Sequence, residues 1–484
     1  MMHSTNQRCN AFQSVIGVFL HAANAPETVC DLLARMGVSI ATSTINNAVS
    51  SLSKEAETGI RKHGRNFLTL YAYDNLDIDL KHSVPTVEKP QDTLVHLTTG
   101  TMMPLYHDVT QDDLNCSDEL WRKCKQNIDV QPQNISHISF DKLLNLYPDE
   151  PDSTGLFRHK RFNAWKYLHD LINFGPEYFQ KFKKKLGEPE VIRQIPVVKT
   201  SQIPLRGIDI SPSTPGQNAE ALETFFRQAG IGDPNDNQHA RSPNNLVILV
   251  SGDLLTIQHL RSLQESRAEE ATSWRRMQFV VPVMGLFHLK MACADAMWRI
   301  FIHNCLKSTK ADTNNLMAHV SQIRPKETRK IETKPGFRRM HEVIQHVGIV
   351  SRLDVWRIAA ANQQGTDSEK TLDAFAKSEP TWDDLNEMAR KIVVRNGSPS
   401  NLSRMRTMDA EHRDEQLENM ILREEYFLLY EEISYALNHG DIGRVETCFM
   451  PWIYIFAGCG KHKYAAEMRR YLEDIHFFYP EKLR

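Results

Sequence analysis

From Phe67 the chain alternates apolar and polar residues through FLTLYAYDNLDIDL, and after a proline-containing connection it does so again in DTLVHLTTGTMMPL. A period of two sends every second side chain to one face, which a half-buried strand can use and a helix cannot. Any architecture must therefore hold a β-hairpin or meander over 67 to 105. A further strand is expected at Asn245 to Val250 (NLVILV), an apolar run short enough to be buried on both faces, with Ser251, Gly252 and Asp253 at its C-terminal end. It should pair beside the hairpin although more than a hundred residues intervene. A helix from Thr256 to about Ala271, a strand at Gln278 to Met284 and a helix from Phe287 complete a strand, helix, strand, helix order, which predicts a parallel α/β portion.

Elsewhere the apolar spacing is helical. Val29, Leu32, Leu33 and Met36, then Ile45, Val49 and Leu52, recur at three- and four-residue steps. With Gly37 between them and Ser39, Thr42 and Ser43 as cap candidates, they outline a helix-turn-helix. The second helix carries Asn46, Asn47 and Ser50 but almost no Lys or Arg to meet phosphates, so an ordinary packed helix pair is the favoured expectation. The expected organisation is an N-terminal helical region at 1–66, an α/β core at 67–306 with a helical insertion at about 107–217, a helical insertion at 307–400 and a C-terminal helical region at 401–484 that completes the core. The fold class is α/β with predominantly helical additions.

Charge narrows the function classes. The 484 residues include 58 Lys plus Arg against 60 Asp plus Glu, a formal charge of −2, which gives no global case for nucleic acid or acidic lipid. Any such affinity belongs to local stretches, namely Arg158 to Lys166, Lys181 to Lys185 and Arg324 to Arg339. The 8 cysteines show no CxxC pair, which suits reduced thiols in an intracellular, nuclear or cytoplasmic, setting. Phe12 to Ala23 is far short of the roughly 20 residues that span a bilayer, so no membrane segment is expected. No GxxxxGK[ST], GxGxxG, GxSxG or HExxH motif occurs, so nucleotide kinase, dinucleotide, serine hydrolase and zinc protease chemistry lack sequence support.

Three acids sit where an element could deliver them to a sheet end: Asp74 after FLTLYAY, Asp253 after NLVILVSG, and Glu467 in KHKYAAEMRRYL. Converging carboxylates are what Mg²⁺ or Mn²⁺ needs, because hard cations take oxygen ligands and a metal pair can stabilise both oxygens of a phosphodiester displacement. Equally, Asp74 and Asp253 suit turns or helix caps. His288 in GLFHLKM could orient a carboxylate or contact phosphate.

The segments CNAFQSVIGVFLHAANAPETVCDLLARMGVS, YAYDNLDIDLKHSVPTVEKPQDTLVHLTTGTMMPL, SGDLLTIQHLRSLQ, VPVMGLFHLKMACADAMWRIF and GDIGRVETCFMPWIYIFAGCGKHKYAAEM resemble those of a large uncharacterised family, a domain of unknown function abundant in mushroom-forming fungi. The order of these motifs is similar to that of transposases with a ribonuclease H-like core. The resemblance implies a ribonuclease H-like mixed sheet interrupted by helical insertions, with Asp74 as the first-strand acid, Asp253 as the acid after the fourth strand and Glu467 as the late helical acid. Asp441 and Asp295 are alternatives for the third role. It further implies a transposon-derived protein that cuts and joins DNA with Mg²⁺ or Mn²⁺, with Lys81, His288, Lys290 and Arg444 as phosphate contacts. The competing expectation is a non-catalytic scaffold that binds DNA or protein.

Overall fold

A computed structural model describes residues 10–80, 93–129, 138–303, 316–363, 371–396 and 399–484. The chain runs through helices α1 (Ala11–Ala22), α2 (Glu27–Arg35) and α3 (Thr42–Gly64), strands β1 (Thr69–Leu80) and β2 (Thr93–Pro104), helix α4 (Arg158–Phe174) and strand β3 (Ile203–Pro204). Helix α5 (Pro215–Gln228), strand β4 (Ile248–Gly252), helix α6 (Leu254–Ser266), strand β5 (Val280–Met284) and helix α7 (Leu286–Trp298) follow. Helices α8 (Gly336–Gln363), α9 (Trp382–Asn396), α10 (Glu415–His439), α11 (Ile442–Gly458) and α12 (His462–Glu473) complete the major elements, with shorter helical turns between them. Two compact units emerge: Met1–Pro132 with Thr200–Val283 and Pro480–Leu483, and Gln133–Lys199 with Met284–Tyr479 and Arg484.

The first unit is built on a five-stranded sheet of order β3-β2-β1-β4-β5. β1 and β2 pair antiparallel over their whole length, from Thr69 opposite Pro104 to Leu80 opposite Thr93. β3 joins β2 antiparallel, and β4 joins β1 parallel, with Tyr71 opposite Val250 and Ala72 opposite Ser251. The hairpin and the NLVILV strand are thus neighbours, as the period-two pattern and the apolar run require. The alternation also sets the buried face: Tyr71 and Tyr73 point inward, where their rings meet Phe226 edge-on at 5.1 Å and Phe225 at 6.0 Å on α5. Helix α5 starts where Thr214 accepts the Gln217 N–H and Pro215 takes the first helical position, a combination that satisfies a free donor and presets φ. Helix α3 ends against the residue after α5: a Cβ on Gly64 would stand 2.4 Å from that of Ala229 and 2.6 Å from its carbonyl oxygen, so only glycine lets the two backbones approach. The helix-turn-helix outline corresponds to α2 and α3, with α1 also packed on α3.

The second unit is helical. One core gathers Met297, Phe427, Ile433, Phe449, Trp452 and Phe456 from α7, α10, α11 and neighbours. Another gathers Tyr167, Leu171, Trp356, Leu385 and Ala389 from α4, α8 and α9. Helix α10 opens with Asp414 accepting the Leu417 N–H at 3.0 Å and stops at Gly440, whose φ of +69° is the left-handed conformation that favours glycine. Among the described residues no helix is long and apolar enough to cross a membrane.

Candidate functional site

Asp74 and Asp253 both belong to the sheet unit. β1 and β4 run parallel, and the last residues paired between them are Ala72 and Ser251. Each acid lies two positions beyond its strand's member of that pair: Asp74 is in the middle of β1, opposite Thr99 of β2, rather than at a sheet end as expected, and Asp253 is just past the end of β4. Asp74 is exposed and takes the Asn75 N–H on Oδ1 at 2.8 Å. Asp253 follows Gly252, the last residue of β4, and its Oδ1 accepts the Thr256 N–H at 2.7 Å as the N-cap of α6. The cap role read from sequence is therefore real, and it fixes the carboxylate at the strand end. Its charge reaches β1: burial first, then the Asp253 carboxylate, pushes the Tyr73 hydroxyl far above its ordinary pKa. That hydroxyl donates to Asn218 Oδ1 at 2.8 Å, a fully buried bond.

The remaining candidates lie elsewhere. Lys81 falls outside the described residues. Glu467 is buried on α12 in the helical unit. Asp441 caps α11 and accepts backbone N–H groups from Ile192 at 3.2 Å, Arg193 at 3.0 Å and Arg444 at 3.1 Å. Asp295 pairs with Lys461 at 2.7 Å and Arg299 at 2.8 Å. His288 lines a cavity of about 350 Å³ together with Asp295, Lys334, Phe337, Lys461 and Tyr464. Lys290 is half-buried, and burial lowers the pKa of its ammonium group. Arg444 is 1% exposed and spends its charge inside the protein, on Glu432 at 2.7 Å and Asp441 at 3.4 Å. The structure thus unites Asp74 and Asp253 in one unit and places Glu467, Asp441, Asp295, His288, Lys290 and Arg444 in the other.

Sequence reasoning did not find the buried ion networks of the helical unit. Arg352 is fully buried and reaches Asp170 at 2.6 Å, Glu424 at 2.9 Å and Glu431 at 2.7 Å, while Lys166 adds bonds to Asp170 at 2.7 Å and Glu431 at 2.8 Å. Burial would raise the Asp170 pKa, but the His169 ring, Arg352 and Lys166 outweigh it and hold the carboxyl below its ordinary range. A second group joins His159, Glu432 and Cys448, whose donor atoms lie within 4.8 Å of one another. The His159–Glu432 separation of 2.6 Å is a hydrogen bond, and Arg444 holds the other Glu432 oxygen, so each oxygen of this carboxylate already has a partner. Burial pushes the Cys448 thiol well above its ordinary pKa. The signal for both networks was the repeated acid pair of α10, Glu424-Glu425 and Glu431-Glu432, one heptad apart.

Fold and side chains define a mixed α/β protein in which a five-stranded sheet unit carries one acid within β1 and another just after the adjacent β4, and a helical unit is keyed by buried ion networks. The chain belongs to the family of unknown function DUF6589, which matches residues 136–484. No curated protein and no solved structure matches it.

Proposed function

We propose that the sheet unit is a ribonuclease H-like core of a transposon-derived protein, with Asp74 and Asp253 as metal-binding acids for phosphodiester cleavage or transfer. The observation that supports this reading is the parallel pairing of β4 beside β1, which makes the strand of Asp74 the neighbour of the strand that Asp253 follows. The donor set fits a hard divalent cation, since both groups are carboxylates and each has its Oδ1 oriented by a local backbone N–H. Mg²⁺ or Mn²⁺ held there would lower the pKa of an attacking water and neutralise charge on the phosphate. The protein's own part is positional: the β1–β4 ladder spaces the acids, and the α6 cap fixes the rotamer of Asp253. The proposal rests on this pair within the sheet unit alone.

A non-catalytic scaffold that binds DNA or protein is the second reading. Within it, Arg158 to Lys166 favours protein over DNA as the partner, because its cations are matched within the protein: Arg161 to Glu190 at 2.8 Å, Lys160 to Glu425 at 3.2 Å and Lys166 to Glu431 at 2.8 Å. Phe12, Val15 and Phe19 add an exposed apolar face on α1. Nicking of supercoiled plasmid by the full chain, with Mg²⁺, Mn²⁺ or chelator, separates the two. The catalytic reading expects metal-dependent nicking and a metal-dependent rise in melting temperature, both lost in Asp74→Asn and Asp253→Asn. Metal at about 100 times its Kd would add about 2.7 kcal/mol to the stability of the wild type. DNA retention without nicking, or melts indifferent to metal, supports the scaffold.

A further inference from the structure

The helical unit holds a cavity of about 880 Å³ that the proposed chemistry does not use. This is within the range of roughly 300–1,000 Å³ that suits small organic ligands. Its walls are largely apolar, formed by Val350 and Ile358 of α8, Met388 and Ile392 of α9, and Met420 and Ile421 of α10. Three of these, Val350, Ile358 and Met420, remain exposed although they face one another around a single hollow. Uncovered apolar surface gathered in a concavity is what a ligand with an apolar body would remove from water.

Arg423, only 4% exposed, also lines this cavity. Its Nη2 makes a long bond of 3.3 Å to Ser351 Oγ, and its buried Nε has no hydrogen-bond partner among the described residues. A buried guanidinium without a hydrogen-bonded carboxylate is costly, and the Nε/Nη edge is the fork that grips a carboxylate or phosphate. Beside it, Glu424 Oε1 accepts from Arg352 at 2.9 Å, while Oε2 is buried with no hydrogen-bond partner among the described residues. Burial raises the Glu424 pKa, with Arg352 offsetting part of the effect, so protonation would turn this carboxyl into a second donor. His319, on the same wall, is held below its ordinary pKa by burial and by Arg423. The rim mixes Lys391 and Arg404 with Asp354 and Glu387 and selects no sign. The choice falls to the interior arginine.

We propose that this cavity binds an amphipathic organic anion, its head on the Nε/Nη edge of Arg423 and its apolar body between α8, α9 and α10. The head is a carboxylate or a phosphate monoester. The test is calorimetric titration of the full chain with dodecanoate, dodecyl phosphate, dodecanol and dodecanamide, each below its micelle concentration. At least one anion should bind 1:1, with dodecanol and dodecanamide weaker by about tenfold or more, the size of a lost charge-assisted bond. Preference for dodecanoate identifies a carboxylate head, and preference for dodecyl phosphate a phosphate. Arg423→Met should weaken the anion by a similar factor. If that variant does not fold, Ile358→Trp, which fills the cavity from its exposed wall, should abolish binding with an unchanged melting curve. Absence of 1:1 binding, equal affinity for dodecanol or dodecanamide, or anion affinity untouched by Arg423→Met or by a folded Ile358→Trp overturns the proposal.

Discussion

Arg352 on α8 and Asp170 on α4 meet at 2.6 Å with neither side chain exposed to solvent. The same guanidinium holds Glu424 and Glu431 of α10, so three helices are tied at one point. Removing the cation leaves buried carboxylates unmatched. Arg352→Met should cost about 3–5 kcal/mol, the usual penalty for breaking a buried pair from one side. Combining it with Asp170→Leu should recover part of the loss. Urea midpoints of the single and double variants check both statements.

Asp253 has two separable roles. As the N-cap of α6 it accepts the Thr256 N–H, and asparagine can do the same. Asp253→Asn should therefore melt close to the metal-free wild type, whereas Asp253→Ala should lose about 0.5–2 kcal/mol. Equal stability of the two variants in chelator would show that the cap contributes nothing.

Stability should fall on the alkaline side through His159. Glu432 raises the His159 pKa, against the opposing pull of burial. The folded state therefore holds the proton more tightly than the unfolded chain, whose histidines titrate near ~6.5. The pairing contribution is complete below that pH and is lost as pH rises through the folded-state value. The difference in urea midpoint between wild type and His159→Gln should be larger at acidic pH and shrink towards alkaline pH. A constant difference argues for packing alone.

Gly64 sits so close to Ala229 that a methyl group has nowhere to go. Gly64→Ala should destabilise the sheet unit by about 1–3 kcal/mol, the range for overpacking, even though alanine is the better helix former. A rise in melting temperature would show that the two backbones part at little cost.

The hairpin and the NLVILV strand were legible because period-two alternation and a short apolar run are local properties. Even the cap at Asp253 was readable, since an acid before a helical pattern is a local signal. What escaped was set by residues far apart in sequence. Arg158 to Lys166 looked like a phosphate-binding stretch, yet Lys160 and Lys166 find Glu425 and Glu431 on a helix more than 200 residues away, and Arg161 finds Glu190. Arg444 as a phosphate contact and Asp441 as an alternative third acid were expected for the same reason, because their partners come from chain segments that only folding brings in. Charge type is written in the sequence, but its destination depends on packing.

The boundaries of kinship and of folding do not coincide. The family match begins at 136, after β1 and β2, yet it includes β4, which lies between β1 and β5 and meets the hairpin through β1. A fragment cut at 136 would keep Phe225 and Phe226 but lose Tyr71 and Tyr73, and it would leave β4 as a raw apolar edge prone to self-association. The helical unit is itself assembled from two stretches separated by the second half of the sheet unit. Protein engineers who take the shared stretch as an expression unit would be cutting through a sheet, and the piece worth producing is the one that begins before α1.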